Sequence, residues 1–589
     1  MSVRTTFDKL RRAGAVARTM LLQAAAQSWG VKASSCHTAK GVVYQKQGQQ
    51  KATYGELADL AAGQEIPDDV TLKDPQDFKL IGTDLLKSKD ADLKVSGRMV
   101  FGYDFTLPGI LTAVVARPPA FGGTVAGYDE TAARAVPGVR QIIKISAGVA
   151  VVADNMTAAL AGRKALKATF DSGPNGNLSS AGIMTKLKAA AQNPGQVERS
   201  AGDAASALSQ ADKAISAEYE LPYLDHAPME PMNCTAQVKD GHCEIWVPTQ
   251  VPADVQRVAI GITGFAPENI TVHILPIGGG FGRRLQKDYA TDAVELAMHV
   301  SAPVKVLRTR PEDIQHGFYR PVSFHRLSVG LNKSNQPTAW THRLAYPEHV
   351  WVTGGAGLES YDIPNVLVDY HEVPIPVPVG PWRSVAHTAT GFVNESFMDE
   401  LAHTAGDDPY HFRFKLLLDN NPRLAGVLQL AAEKANWGDT PKGHFLGIAA
   451  HTSFHSYAAM VVDISLDDKG RVILNRVTAA IDCGLVINPD GVRAQLEGAV
   501  AVGLTAALFG EISIKDGRVE QSNFHDYKLI TMDKMPVVDA FSVPSMEPPT
   551  GVGEPGIPPT APALTNALFA ATGIRYRRLP LTKEGLKLA

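Results

Sequence analysis

Five short stretches hold residues whose types and spacing could do chemistry. The first is Gly278-Gly279-Gly280-Phe281-Gly282-Arg283-Arg284. Four glycines in five residues let the backbone approach a ligand closely, with N–H groups free to donate. A strand over 270–274 is expected before it and a helix over 288–300 after it, so a helix start adds positive potential. This reads as a cradle for an oxyanion or a cofactor, against the plainer reading of a tight glycine turn. It is not a P-loop, because the pattern G-x-x-x-x-G-K-[ST] fails. The second stretch, Gly551-Val552-Gly553-Glu554-Pro555-Gly556, formally matches G-x-G-x-x-G. A dinucleotide site is excluded there: no strand leads in through Pro548 and Pro549, and Pro555, Pro558 and Pro559 bar an immediate helix. What remains is a rigid loop presenting one carboxylate, Glu554. Such a mount suits a general base, and a solvated loop glutamate is the plainer alternative.

Three further positions are weaker on their own. Gln250 ends an expected strand over 243–247 and could donate its amide to a ligand oxygen, or simply be a polar turn residue. Arg383, in Pro381-Trp382-Arg383-Ser384, could clamp an anion or lie on the surface. His226, in His-Ala-Pro-Met-Glu-Pro, reads as a satisfied core histidine rather than a ligand. No His/Asp/Glu set has the spacing of a protein-held metal site, and no Ser–His–Asp signature is present.

The elements that must position these residues fall into four blocks. Residues 1–70 read as a helix over 5–29, a hairpin (41–44 with 52–54) and a helix near 56–62, too little for a domain alone. Residues 71–93 read as a polar linker. From 94 to 171, short β-branched runs at 111–116, 139–145 and 149–152 alternate with helical stretches near 130–136 and 157–168, a compact α+β module. Residues 172–213 read as a surface connection with one helix. From 215 onward strands and helices alternate, with a polar seam at 436–444 separating units over 215–436 and 445–589.

Composition narrows the class. The 589 residues carry 57 Lys+Arg against 60 Asp+Glu, a net charge of −3, so no field for nucleic acid or anionic membrane exists. Hydrophobic content of 45% excludes a disordered chain. The four cysteines (Cys36, Cys234, Cys243, Cys483) form neither a disulfide framework nor an iron–sulfur ligand set, so any such centre must sit on another chain. Arg11-Arg12 precedes an Ala-rich run, but Arg18 interrupts it, which reads as an amphipathic helix and not a twin-arginine export signal.

Taken together, the motifs resemble the molybdenum-cofactor subunit of the xanthine oxidase family, in the branch of isoquinoline 1-oxidoreductase β subunits and bacterial membrane-associated aldehyde dehydrogenases. The likeness is carried by YELPYLDHAPMEPMNC (219–234), GGGFGRR (278–284), HGFYRP (316–321), DCGLVINP (482–489), 510–526 and GVGEPG (551–556), in the family's order. The resemblance implies an α+β fold. It comprises a C-terminal remnant of a cofactor-binding subdomain (1–70), a hammerhead domain (94–171) and two molybdenum-cofactor-binding domains (215–436 and 445–589). It implies that Glu554 is the catalytic base and that Gln250 hydrogen-bonds the apical oxo group. Gly279, Gly280, Phe281 and Gly282 would line the cofactor, Arg383 would be the active-site arginine and Gln495 would contact the pterin. The implied cofactor is molybdenum-molybdopterin cytosine dinucleotide. The implied partners are a small [2Fe-2S] subunit and a membrane cytochrome c subunit. The implied place is the periplasm, at the inner membrane, although no signal is visible in this chain.

The implied reaction is oxidation of an aldehyde to an acid, or hydroxylation of an N-heteroaromatic with water as oxygen source. Leu285 stands where purine-oxidising members carry a glutamate, and Val385 where a Phe usually follows the arginine by two. A purine substrate is therefore not expected, and an apolar pocket is. Members of the branch begin with an export signal and a further domain-sized stretch, so the chain is expected to lack part of one cofactor domain. The alternative reading is a truncated, cofactor-free remnant, or half of a split subunit, acting only as an interaction partner.

Overall fold

The computed structural model describes residues 2–347 and 352–589. Three sheets carry the architecture. The first has seven strands, in the order Ile270–Ile274, His242–Val247, Asn233–Lys239, Val304–Leu307, Leu111–Ala116, Gly148–Ala153 and Val139–Ile145. The second has five strands: Lys213–Leu221, Ser323–Leu331, Pro337–Pro347, Asn365–Val373 and Gln196–Ala201. The third has four: His444–Ser453, Ser456–Leu466, Val472–Asp482 and Val537–Ser542.

Helix His387–Ala405 lies between the second and third sheets. It buries residues all round, including Phe392, Phe397, Met398 and Leu401, as a core helix must. Phe397 meets the Trp340 and Tyr219 rings edge-on at 5.6 and 6.5 Å. The buried acids of this helix are paired: Arg413 Nε donates to Glu395 at 2.8 Å and Arg575 reaches Asp399 at 2.6 Å. Helices Pro422–Lys434 and Thr560–Thr572 pack on the third sheet.

Four sequence expectations change here. The run 94–171 does not close on itself: Leu111–Ala116 pairs in parallel with Val304–Leu307, so its strands extend a sheet begun elsewhere. The connection 172–213 holds two helices, Ser180–Ala190 and Ala204–Ser209, and the edge strand Gln196–Ala201, which the Ser- and Ala-rich composition concealed. The polar seam at 436–444 is a loop, but one continuous hydrophobic cluster runs across it from Tyr219 and Val427 to Val461 and Leu568. Near the N-terminus, helix Ser2–Trp29, helix Tyr54–Ala62 and a three-stranded sheet enclose a small core of Ala24, Ala25, Cys36, Val43 and Leu57. The hairpin expected there gains a third strand, Cys36–Ala39.

Candidate active site

Strands His242–Val247 and Ile270–Ile274 run parallel, with Val247 beside Ile274. Their chains therefore leave the sheet at the same edge, and the segments after them are neighbours, as at ligand-binding edges of parallel sheets. Gln250 and the 278–282 loop meet there: a methyl group placed on Gly280 would lie 2.8 Å from Gln250 Oε1. The Gln250 N–H donates to the Arg284 carbonyl at 3.1 Å.

The loop is held from behind by Arg284, which is wholly buried. Its guanidinium donates to the carbonyls of Gly279 (2.8 Å), Pro248 (3.1 Å) and Glu230 (2.9 Å) and to the Glu230 carboxylate (2.9 Å). Glu230 in turn accepts from the Gly278 N–H at 2.9 Å. Arg283 makes a bidentate pair with Asp288 at 2.9 and 2.8 Å and lies over the Phe318 ring. Spacing gave no sign of these staples, although both arginines lie in the same motif as the glycines.

The front of the loop is the informative side. The N–H groups of Gly279, Gly280, Phe281 and Gly282 donate to nothing among the described residues. Four adjacent free donors make a nest that fits an anion or an oxo oxygen. Gly282 has φ +105°, and any side chain there would collide with the Pro381 carbonyl. That contact seats the loop against Pro381-Trp382-Arg383.

Arg383 clasps the Glu554 loop. Its Nε donates to the Gly553 carbonyl at 2.6 Å. Its Nη2 donates to the backbone carbonyl and the side-chain oxygen of Gln495, each at 3.1 Å. Gln495 projects from helix Pro489–Leu508, whose start is capped by Asn488 accepting from the Gly491 N–H at 2.8 Å. The Ser384 hydroxyl donates to the Glu554 carbonyl at 2.6 Å. At the other end of the loop, Gly551 N–H donates to the Phe454 carbonyl at 3.3 Å and its own carbonyl accepts from Ser456.

The Glu554 carboxylate itself accepts no hydrogen bond among the described residues, and it is half-buried. Burial raises its pKa above the usual carboxylate range, and the Arg383 charge opposes that rise. Burial also brings Arg383 down to about 10, which leaves it charged at neutral pH. An unpaired, partly desolvated carboxylate on a doubly anchored loop has the attributes of a general base.

A cavity of about 210 Å³ opens beside Phe281, walled by Trp382, Ala501, Val502, Leu529 and Ile530. Trp382 is fixed by its Nε1 donating to the Asp225 carbonyl at 3.1 Å. His226 is buried, as expected, with its Nε2 2.8 Å from the Pro381 carbonyl, but its Nδ1 has no partner among the described residues, so it is not the fully satisfied core histidine that the sequence suggested. Burial holds it down to about 3, hence neutral. All eight residues singled out in the sequence thus fall along one continuous set of contacts. Among the described residues no group of three His, Cys, Asp or Glu side chains gathers as for a metal ion.

Two segments, 188–417 and 421–536, match models described as molybdopterin cofactor-binding domain. The chain is 31% identical to isoquinoline 1-oxidoreductase subunit beta of Brevundimonas diminuta, over 98% of this chain and 82% of that protein. It is 28% identical to the membrane-bound aldehyde dehydrogenase [pyrroloquinoline-quinone] of Gluconacetobacter polyoxogenes, over the same shares of the two chains. Among solved structures, quinoline 2-oxidoreductase from Pseudomonas putida 86 superposes with a TM-score of 0.74 at 14% identity, over 85% of this chain and 97% of that one. The chain belongs to the xanthine oxidase family of molybdopterin cofactor-binding subunits.

Proposed function

We propose that this subunit oxidises an aldehyde to a carboxylic acid or hydroxylates an N-heteroaromatic ring, with water as the oxygen source. The observation that carries the reading is an unpaired Glu554 carboxylate within reach of the Arg383 charge, on a segment whose Pro381 packs against the glycine loop with its free N–H groups. The residues fit the cofactor on these grounds: four adjacent backbone N–H groups and the Gln250 side-chain amide have no partner among the described residues, and Gln250 lies against the glycine loop at Gly280. Gln250 and residues 279–282 would hold the molybdenum end, and Gln495 the pterin. When bound, the cofactor supplies the two-electron redox chemistry.

The chain's own residues do the rest. Glu554 takes a proton at its carboxylate and so readies the attacking oxygen. Arg383, charged and fixed on Gly553 and Gln495, stabilises negative charge that develops on the substrate oxygen or ring nitrogen. Phe281, Trp382 and the Ala501–Val502 wall exclude water and favour an apolar substrate.

The finer features follow from the resemblance. We propose the cytosine dinucleotide form of the cofactor and the hammerhead assignment for 94–171, with cofactor-binding domains over 215–436 and 445–589. Electrons would leave to a small [2Fe-2S] subunit, which accords with four cysteines that are buried and free, and onward to a membrane cytochrome c. That chain of partners would place the enzyme at the periplasmic face of the inner membrane. No helix among the described residues is long and apolar enough to cross a membrane.

The test is molybdenum per chain by plasma mass spectrometry, after co-expression with the small subunit, followed by dye-coupled assays. Near-stoichiometric metal with turnover of acetaldehyde or isoquinoline supports the reading. A folded chain that takes up no molybdenum would overturn it.

A further inference from the structure

Ser384 is fully buried and has φ +77°, and Val385 after it has φ +44°. Two successive L-residues in the left-handed region are strained, and such strain persists where the surroundings fix it. Glycine would adopt φ +77° freely but has no hydroxyl. The hydroxyl of Ser384 is used: it donates to the Glu554 carbonyl at 2.6 Å. Arg383, one residue earlier, donates to the Gly553 carbonyl at 2.6 Å. Two adjacent side chains therefore hold two adjacent carbonyls about 170 residues away along the chain.

The bond after Glu554 leads into Pro555, which has no N–H. Its peptide plane can be hydrogen-bonded only through the Glu554 carbonyl. Among the described residues that carbonyl accepts from two donors, the Ser384 hydroxyl and the Ile557 N–H at 3.1 Å. The Ile557 bond is local and turns with the loop. The Ser384 bond is the one that ties the plane to the rest of the protein.

We infer that Ser384 is a positioning residue for Glu554, fixing the backbone from which the base projects and thereby its distance from the reacting atoms. The inference rests on the reading of Glu554 as the base. Arg383 alone would hold the loop one carbonyl too early to set that plane.

The test uses the cofactor-loaded enzyme with its partner subunit and the variants Ser384→Gly and Ser384→Ala. Amide hydrogen exchange over 551–557 is expected to quicken about tenfold or more, with helix Thr560–Thr572 unchanged. The value of kcat is expected to fall roughly tenfold to a hundredfold, as for a catalytic group displaced by about 1 Å. KM should stay within about threefold and the acid limb of kcat should move. In a Glu554→Gln background the Ser384 substitution should cost nothing further, because the effect runs through the base.

Exchange at 551–557 and an acid limb both unchanged in Ser384→Gly would overturn the inference, as would an equal further loss in the Glu554→Gln background. Failure of both variants to fold would also overturn it, making Ser384 a residue of the fold alone. Should Glu554→Gln retain parental turnover, the base reading fails, while the exchange measurement still decides whether Ser384 anchors the loop.

Discussion

At the scale of single residues the proposed function separates groups that hold from one that reacts. Glu554→Gln keeps shape but removes the base, and turnover should fall on the order of 10²–10⁴ with molybdenum content unchanged. Dye-coupled kinetics and metal analysis check both halves. The parent's own pH profile follows from the raised Glu554 pKa. In the proposed role Glu554 works only when deprotonated, so kcat should fall on acidification at a pH above the usual carboxylate range. Arg284→Met would leave the buried Glu230 carboxylate without its cation, a loss of about 3–5 kcal/mol by analogy with other buried pairs. Chemical denaturation would measure it, and a cost below about 1 kcal/mol would show that the staple is dispensable. Gln250, Arg383 and Glu554 stood out in the sequence as candidates, but spacing alone left the plainer polar readings open, and their roles came from the resemblance. Ser384 and Glu230 were not, because what gives them meaning is a partner far away in the chain.

At the scale of elements, parallel pairing of His242–Val247 with Ile270–Ile274 brings Gln250 to the glycine loop. The pattern of apolar runs gave these strands closely, and also the helices Ser2–Trp29 and Tyr54–Ala62. What it could not give was which strands pair, since nothing local in Leu111–Ala116 marks its partner as Val304–Leu307. The glycine loop offers a sharp test of the element. Gly282→Ala forces a side chain into the Pro381 carbonyl at a φ of +105°. Molybdenum content is expected to drop several-fold while far-ultraviolet circular dichroism stays native. Full metal loading in that variant would mean that the loop and the Pro381 segment need not touch.

At the scale of the whole molecule, burial makes stability depend on pH. Asp225 is held up to about 7 by burial and by the Asp313 charge, against a usual 3.8. The folded state keeps a proton that the unfolded chain has already lost. Its contribution is therefore fully present below about pH 4 and is lost as pH rises through 7. Asp225→Asn should flatten the fall of Tm between about pH 5 and 8, as followed by calorimetry. Elsewhere the chain is loosely tied: residues 63–98 expose Ile66, Leu85 and Val95 and touch the body through few bonds, such as Gly82 N–H to the Ile487 carbonyl at 2.9 Å. Brief trypsin treatment should cut first between Lys73 and Arg98 and leave the remainder intact on a gel. The bare front of the glycine loop has one more consequence. Everything expected to grip the cofactor there is a backbone amide, a side-chain amide or a guanidinium, none of which changes charge between about pH 4 and 9. Retention of the cofactor should therefore be flat with pH across that range while turnover is not, so acid would silence this enzyme reversibly, without emptying it.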